Sequence, residues 1–379
     1  MTKSDLPFPL AEFVSRLDRL RDKLREHGVA AALFDEIEAM IWISGFGNSE
    51  NRWRCVVVPV EAEPFFLIRA LDAGPCRSRT WIADVPTFRD WEDPFTVLAE
   101  SLAARGLSSA RIGLDFGSYS MPLRRFERLK VMLPGVTFVD IGPLVWELRL
   151  IKSAAEIARL RQASAIADET MIRISEACRS GRSQRELASV AASSAITLGA
   201  DPARVALISA GRGWDFLHAH LEDKSLEDGD MVHVEMVPTV GGYGARMMRC
   251  ISVGPIDDAR RSAAAKLAAL QDAQIAAMRP GAEARAVDAI LREGLVAQGL
   301  RDSVNNITGY TLGLYALAGP RTSDFTRIFH PESSWCLQAG MVFHMYASAA
   351  GVSFSETVLV GEDGPECLTK LPRELMGGA

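Results

Sequence analysis

Two side chains of opposite charge face each other across a predicted β-hairpin. Residues 231–237 alternate between apolar and polar types, which predicts a strand whose non-core face carries Glu235. After a break rich in Pro and Gly, residues 243–253 predict a second, antiparallel strand that brings Arg246 or Arg249 opposite that carboxylate. A carboxylate facing a guanidinium in this way is either a structural ion pair or half of a catalytic or binding site.

The chemistry available to such a pair is acid–base or nucleophilic. A nearby guanidinium keeps a carboxylate ionised, and Glu235 could then activate water or attack a carbon to form an acyl intermediate. Arg246 could stabilise a developing oxyanion or bind a substrate carboxylate in a bidentate way. The structural and functional interpretations both stay open for Arg246, whereas a structural role is favoured for Arg249.

Histidines near the hairpin add side chains that titrate close to neutral pH. His218 and His220 flank one alanine in an extended segment, so alternation places both on one face. Taken alone, they are typical of surface or hydrogen-bonded histidines. His233 shares the face of Glu235 by alternation and would orient it.

The elements that must position these residues indicate two domains, as does the length of 379 residues. Strands alternate with helices over residues 1–150, which predicts an α/β domain. Within it, residues 40–43 are predicted to form a buried strand. Ser153 and Glu156 form a capping box that opens a long helix, and residues 151–379 are predicted to form the second domain.

Composition excludes several classes of protein. The net charge is −6, so the composition lacks the excess of basic residues that is typical of nucleic-acid-binding proteins. No apolar run approaches the ~20 residues of a membrane span, and the N-terminus lacks a signal-peptide core, so we expect no membrane contact and a cytoplasmic protein. The six cysteines are scattered without a CxxC pair, which is typical of reduced cytosolic thiols.

Several ordered segments resemble the pita-bread superfamily of methionine aminopeptidase, aminopeptidase P, prolidase and creatinase. Gly229-Asp230, Gly242-Tyr243 and Arg249 match landmarks of the hairpin in that superfamily. Further matching segments are residues 40–46, 150–156, 340–343 and 357–364. The resemblance implies an α+β fold, with a pita-bread C-terminal domain after a smaller, creatinase/prolidase-like α/β N-terminal domain.

The peptidases of this superfamily bind two divalent cations with two Asp, one His and two Glu. The resemblance places these five ligand positions, in order, on Glu235, Arg246, Tyr310, Tyr346 and Ser355. Hard cations need several oxygen ligands at once, and only Glu235 could coordinate one. We therefore expect no metal, no other cofactor and no metallopeptidase activity. Glu356 follows the fifth position, but a shift of one residue turns a strand side chain to the opposite face unless a bulge intervenes.

Loss of the ligands resembles creatinase and ectoine hydrolase, which hydrolyse C–N bonds of small nitrogenous solutes without the dinuclear centre. The resemblance implies His218 as general acid–base. With it, we expect Glu235 to act as base or nucleophile and Arg246 to stabilise negative charge. The substrate-binding candidates are His220, Tyr310, His344, Tyr346, Glu356 and Arg52. A tyrosine at a former ligand position either donates a hydrogen bond to a developing anion or simply fills the emptied pocket.

Arg52 occupies the place where creatinase has an arginine that reaches the active site of the partner subunit. The resemblance thus implies a homodimer whose sites are completed across the interface, although a solvated loop arginine explains Arg52 equally well.

These residues predict a metal-independent hydrolase of a non-peptide C–N bond in a cyclic amidine, lactam or guanidino compound. Two alternatives stay open. One is a catalytically inactive, peptidase-like binding protein, and the other is a lyase that acts on a small solute.

Overall fold

The computed structural model describes residues 6–47, 52–212, 221–316 and 323–377. The chain divides into two compact units, one ending at Arg149 and the other beginning at Leu150. None of the helices in these ranges is long and apolar enough to cross a membrane.

The first unit is built on a six-stranded sheet with strand order β4-β3-β2-β1-β5-β6. Its strands are β1 Ala31–Phe34, β2 Cys55–Pro59, β3 Phe65–Arg69, β4 Thr87–Phe88, β5 Arg111–Leu114 and β6 Thr137–Asp140. Its helices are α1 Leu10–Glu26, α2 Ile37–Ser44, α3 Ala73–Arg79, α4 Pro94–Ala103, α5 Leu123–Met132 and α6 Leu144–Leu148. Strand β1 pairs in parallel with β5, and β5 pairs in parallel with β6. Together with the helices between the strands, this makes the first unit α/β, as the alternating sequence pattern predicts.

The strand predicted for residues 40–43 is wrong, because these residues lie inside helix α2. This short helix is buried on nearly every side, and its residues are apolar apart from Glu38 and Ser44. Periodicity cannot tell such a helix from a buried strand. The helix ends at Gly45, whose φ of 87° is the left-handed conformation that glycine adopts readily.

The second unit contains, in the described part of the chain, a nine-stranded sheet flanked by helices. Seven strands follow the order β13-β12-β14-β15-β11-β8-β7, while β16 pairs with β15 and β17 with β11. The nine strands are β7 Ala206–Gly211, β8 Met231–Met236, β11 Met247–Ser252, β12 Gly309–Thr311, β13 Ile328–Phe329, β14 Val342–Ala349, β15 Val352–Val360, β16 Pro365–Cys367 and β17 Met376–Gly377. Two further strands, β9 Thr239–Val240 and β10 Tyr243–Gly244, pair with each other in a separate two-stranded sheet. The helices are α7 Ala154–Ala177, α8 Gln184–Thr197, α9 Asp258–Ala276 and α10 Ala284–Ala297.

Capping and burial explain the helices of the second unit. Ser153 and Ser183 each accept a hydrogen bond from the backbone of the glutamate three residues on, so both helices start with a capping box. Val232, Val234 and Met236 of β8 pack in one apolar cluster with residues of α7 and α8. This face of the sheet is therefore core, and the alternate face of β8 is left for polar side chains.

The second hairpin strand is shorter than predicted. Residues 243–253 do not form one strand, because Ala245 and Arg246 lie between β10 and β11. The backbone of Arg246 is instead held by a side chain from another strand: the Arg246 N–H donates to Thr357 Oγ1 at 2.8 Å, and that hydroxyl donates to the Arg246 carbonyl at 2.9 Å. A tertiary contact thus replaces the strand ladder at this point.

Candidate active site

A row of side chains crosses the nine-stranded sheet on the face that carries Glu235. Directly opposed residues on neighbouring strands point to the same face. The continuous register from β8 to β14 pairs Glu235 with Met248, Met248 with Ser355, and Ser355 with Tyr346. A second row pairs Thr357 with His344, and His344 with Tyr310.

The centre of this face is a buried ion pair. Arg246 Nη1 lies 2.5 Å from Glu235 Oε1, and both side chains are almost fully buried. Arg246 Nη2 lies 3.8 Å from Asp324 Oδ2, and the guanidinium carbon lies 5.4 Å from the ring centroid of Tyr310. Among the described residues, Nε and Nη2 of Arg246 have no hydrogen-bond partner. Both nitrogens are buried, and although Nη2 belongs to the ion pair with Asp324, the described residues leave their hydrogen-bond donors unused.

The electrostatics of the site keep Arg246 charged. Burial lowers the pKa of Arg246, but the neighbouring Tyr310, Glu235, Tyr315 and Asp324 more than offset this, so the pKa lies above its ordinary value. The guanidinium is consequently charged at neutral pH.

Three rings line one side of the ion pair. Tyr310, His344 and Tyr346 contact one another, with centroid separations of 5.0, 5.3 and 6.0 Å. Burial raises the pKa of Tyr346, although its hydrogen bond with the side chain of Asn306 lowers it. The phenol therefore stays protonated at neutral pH and can donate a hydrogen bond.

The residues at the five former ligand positions do not fit a two-cation centre. Only Glu235 offers a carboxylate, and the guanidinium of Arg246 already occupies one side of it. The other three positions offer two phenols and the hydroxyl of Ser355, which are weak ligands for a hard cation when neutral. Within the described ranges, no group of three or more His, Cys, Asp or Glu side chains is placed to hold a metal ion.

Glu356 does not join this cluster. The register of β14 and β15 is continuous across it, so no bulge turns the side chain round. Glu356 Oε1 instead accepts from Arg249 Nη2 at 2.7 Å on the opposite face, and Arg373 Nη1 lies 3.2 Å away. Burial raises the pKa of Glu356 despite the Arg249 charge. Arg249 also donates to the carbonyls of Ser355 and Pro372, which is the structural role favoured for it.

The remaining candidates lie elsewhere. Arg52 is in the first unit, where it is half-buried, its Nη2 donates to the carbonyl of Glu92 at 3.2 Å, and its guanidinium lies 5.9 Å from the Phe88 ring. Its contact with a partner subunit stays a prediction. His218 and His220 lie outside the described residues.

The structure adds contacts that the sequence pattern does not predict. Asp324 approaches Arg246, Asn306 binds Tyr346, and Thr357 holds the Arg246 backbone. Asp324 opens a short 3₁₀ turn, Asp324–Thr326, and Asn306 lies in an irregular segment; polar residues are common at both kinds of position, so no local signal distinguishes these two. His233 Nδ1 lies 2.7 Å from Ser353 Oγ, so a hydroxyl from β15 anchors this ring.

Comparison with known proteins agrees with this architecture. The profile of metallopeptidase family M24 matches residues 158–362, and that of the creatinase/prolidase N-terminal domain matches residues 16–151. The chain is 25% identical to an ectoine hydrolase of Halomonas elongata, over 99% of both chains. It is 29% identical to a Xaa-Pro dipeptidase of Pyrococcus furiosus, over 68% of this chain and 73% of the dipeptidase.

Solved structures show the same fold. The dipeptidase PepE of Mycobacterium ulcerans superposes with a TM-score of 0.82 at 23% identity, covering 98% of this chain and 99% of PepE. The α+β arrangement of a pita-bread domain after a creatinase-like N-terminal domain is thereby confirmed. The chain belongs to metallopeptidase family M24, among the hydrolases of the pita-bread superfamily.

Proposed function

We propose that the protein hydrolyses a non-peptide C–N bond in a small nitrogenous solute, and that it does so without a divalent metal ion. Cyclic amidines, lactams and guanidino compounds are the natural candidates. The observation that carries the proposal is the buried ion pair between the guanidinium of Arg246 and the carboxylate of Glu235. The similarity to an ectoine hydrolase along the full chain supports it.

The geometry allows the guanidinium of Arg246 to take the electrostatic role that metal ions have in the peptidases of the superfamily. In hydrolysis, a nucleophilic oxygen adds to the carbon of the C–N bond, and negative charge develops on the atom doubly bonded to that carbon. The unused Nε and Nη2 groups of Arg246 can donate to this atom, and a buried guanidinium is already oriented when the charge appears.

Glu235 supplies the other half of the reaction. As a base it takes a proton from water while the water oxygen attacks; as a nucleophile its own oxygen attacks, and water later cleaves the acyl intermediate. The departing nitrogen needs a proton, which is the role that the family resemblance gives to His218. Tyr346, kept protonated, can hydrogen-bond to the substrate from β14.

The test is a substrate screen with the metal state controlled. Purified protein is dialysed against EDTA and incubated with cyclic amidines, lactams and guanidino compounds, and products are identified by mass spectrometry. We expect a ring-opened product heavier by one water from a cyclic substrate, or two products whose masses sum to that of the substrate plus one water from a guanidino compound, formed at the same rate with and without EDTA. Glu235→Gln should lose this activity, whereas Glu227→Gln, which changes an exposed glutamate on the preceding loop, should keep it.

Other outcomes would replace the proposal. Cleavage of Xaa-Pro dipeptides that EDTA abolishes and Mn²⁺ restores would make the protein a metallopeptidase. An unsaturated product without added water would make it a lyase. Compounds that raise the unfolding temperature but are never turned over would indicate the inactive binding protein.

A further inference from the structure

The segment between α10 and β12, residues 298–308, carries an asparagine whose side-chain amide has three partners. Arg301 Nη1 donates to Asn306 Oδ1 at 2.9 Å, and Asn306 Nδ2 donates to the carbonyl of Ile307 at 2.7 Å. The third partner is the side chain of Tyr346 on β14, to which Asn306 is hydrogen-bonded. Asn306 therefore connects this segment to the three rings beside the ion pair.

The backbone around Asn306 is fixed by a second, buried ion pair. Arg292 on α10 donates to both carboxylate oxygens of Asp288, at 2.6 and 3.0 Å. The same guanidinium donates to the carbonyls of Val304 and Asn306, the latter at 2.9 Å. Asp288 is fully buried, and its Oδ1 also accepts from the hydroxyl of Thr308 at 2.6 Å. A buried bidentate pair with these further hydrogen bonds holds Asn306 in place before any ligand arrives.

Two of the contacts determine which way the amide of Asn306 faces. A guanidinium can only donate a hydrogen bond, and a backbone carbonyl can only accept one. Arg301 therefore requires the oxygen of the amide, and the carbonyl of Ile307 requires its nitrogen. The two requirements agree on one orientation, in which the second N–H of Nδ2 is left for Tyr346.

The effect of the contact on Tyr346 identifies the donor in the same way. Burial raises the pKa of the phenol, whereas the hydrogen bond with Asn306 lowers it. A hydrogen bond that lowers this pKa stabilises the phenolate, so the amide donates and the phenol oxygen accepts. The orientation of the amide and the direction of this effect are consistent with each other.

The proton of the phenol must then point away from Asn306. A phenol O–H lies in the plane of its ring, so the hydrogen has two orientations, and the N–H of Asn306 approaches the oxygen from one of them. On the other side, the ring of Tyr346 lies 6.0 Å from that of Tyr310, which contacts the guanidinium of Arg246 at 5.4 Å. The charge of Glu235 is close enough to raise the pKa of Tyr346. The second orientation can therefore serve a ligand beside the ion pair.

We propose that Asn306 is a positioning residue: its amide turns the O–H of Tyr346 toward the buried ion pair, where the phenol donates to the atom of the substrate that gains electrons as the C–N bond breaks. The inference rests on the proposed function for the substrate, whereas the direction of the O–H does not depend on it. It adds a neutral, preoriented donor to the cationic donor Arg246.

The test measures the ionisation of the Tyr346 phenol, because the sign of its change shows which group donates. The full-length protein is labelled with 3-fluorotyrosine, which ionises at lower pH than tyrosine, and each phenol is titrated by ¹⁹F NMR. The chain has five tyrosines, and the signal that disappears in Tyr346→Phe belongs to Tyr346.

Asn306→Ala should raise the pKa of Tyr346 by about one unit, because the phenolate loses a hydrogen bond. Asn305→Ala is the matched control, since it removes the exposed neighbouring asparagine and should leave this pKa unchanged. A lower pKa in Asn306→Ala would show that Asn306 accepts the phenol proton, and an unchanged pKa would show that the contact does not orient it. Either result would overturn the inference.

A second measurement uses Tyr346→Phe, which keeps the ring and removes only the hydroxyl. In protein labelled with ¹⁵N-asparagine, one of the two Nδ2 protons of Asn306 should shift upfield in this variant, because it loses its acceptor. Unchanged shifts of both protons would overturn the inference. Circular dichroism and the unfolding temperature establish that each variant is folded, and this measurement carries the test should Asn306→Ala not fold.

Turnover separates this inference from the proposed function. With a substrate from the screen, Asn306→Ala should lower kcat about tenfold and leave KM near its wild-type value, because the hydrogen bond strengthens as the charge develops. A raised pKa in Asn306→Ala without turnover of any compound would sink the proposed function and leave the orientation of the phenol standing. Turnover with a wild-type kcat in Asn306→Ala would do the reverse.

Discussion

Arg246 Nη1 is 2.5 Å from Glu235 Oε1, and neither side chain is more than 8% exposed. The two charges are therefore removed from water together. Each stabilises the other in a medium where an isolated charge is strongly disfavoured. A single substitution at either position consequently changes both the chemistry and the stability of the site, and the two effects need to be separated.

Removing one partner should destabilise the protein more than removing both. Arg246→Met leaves Glu235 buried without its counter-charge, and we expect it to lower the free energy of unfolding by roughly 3–5 kcal/mol. The double variant Glu235→Gln with Arg246→Met should recover much of that loss, because no uncompensated charge remains. Urea unfolding of the two single variants and the double variant measures the coupling. A loss below about 1 kcal/mol for Arg246→Met would show that the pair is solvated.

Glu356 should behave as a structural residue and not a catalytic one. Glu356→Gln leaves the guanidinium of Arg249 buried with a neutral partner, and we expect unfolding free energy to fall by about 3 kcal/mol. The kcat and KM of the folded protein should stay unchanged. Glu366→Gln is the matched control, since it removes the partner of Arg161 in a solvated pair worth about 0–1 kcal/mol. A fall in kcat with unchanged stability would place Glu356 among the reacting groups instead.

Glu36 should make the first unit less stable as the pH rises. Burial raises the pKa of Glu36 to about 7 from 4.5, a hydrogen bond from Trp146 opposes this shift, and the nearby Asp115, Asp35 and Glu38 add to it. The folded state therefore keeps a proton that the unfolded chain releases near pH 4.5. The stabilisation is fully present below that pH and is lost as the pH rises through 7.

Glu36→Gln, which keeps the acceptor for Trp146, should lack this dependence. We expect the variant to exceed the wild type in thermal stability at pH 8 and to match it near pH 4.5. The measurement is calorimetric unfolding of both proteins at several pH values. Parallel curves for the two proteins across this range would contradict the raised pKa.

The turn at Ala350 should tolerate asparagine better than alanine. Asn adopts the left-handed region at lower cost, so Ala350→Asn should stabilise the protein by about 1 kcal/mol. Ala350→Val, a β-branched residue, should destabilise it. The midpoint of urea unfolding ranks the three proteins, and a valine variant as stable as the wild type would show that the turn is not strained.

Local patterns alone determined much of this protein. The capping boxes at Ser153 and Ser183 set the starts of two long helices, because their hydrogen bonds join residues three apart. Alternation along β8 placed Glu235 on the polar face, because successive strand side chains point to opposite sides. By the same rule, Glu356 points to the face opposite the fifth ligand position, and the continuous register of β14 and β15 agrees with that orientation.

Only the tertiary structure decided what surrounds the ion pair. Thr357, 111 residues away in the chain, holds the backbone of Arg246 and interrupts the strand predicted there. Asp324 reaches the cluster from a short 3₁₀ turn and Asn306 from an irregular segment. The sequence of helix α2 is equally compatible with a buried strand, and only the tertiary structure shows that it is helical. These outcomes depend on contacts between residues far apart in sequence, and no window of neighbouring residues contains the information that selects them.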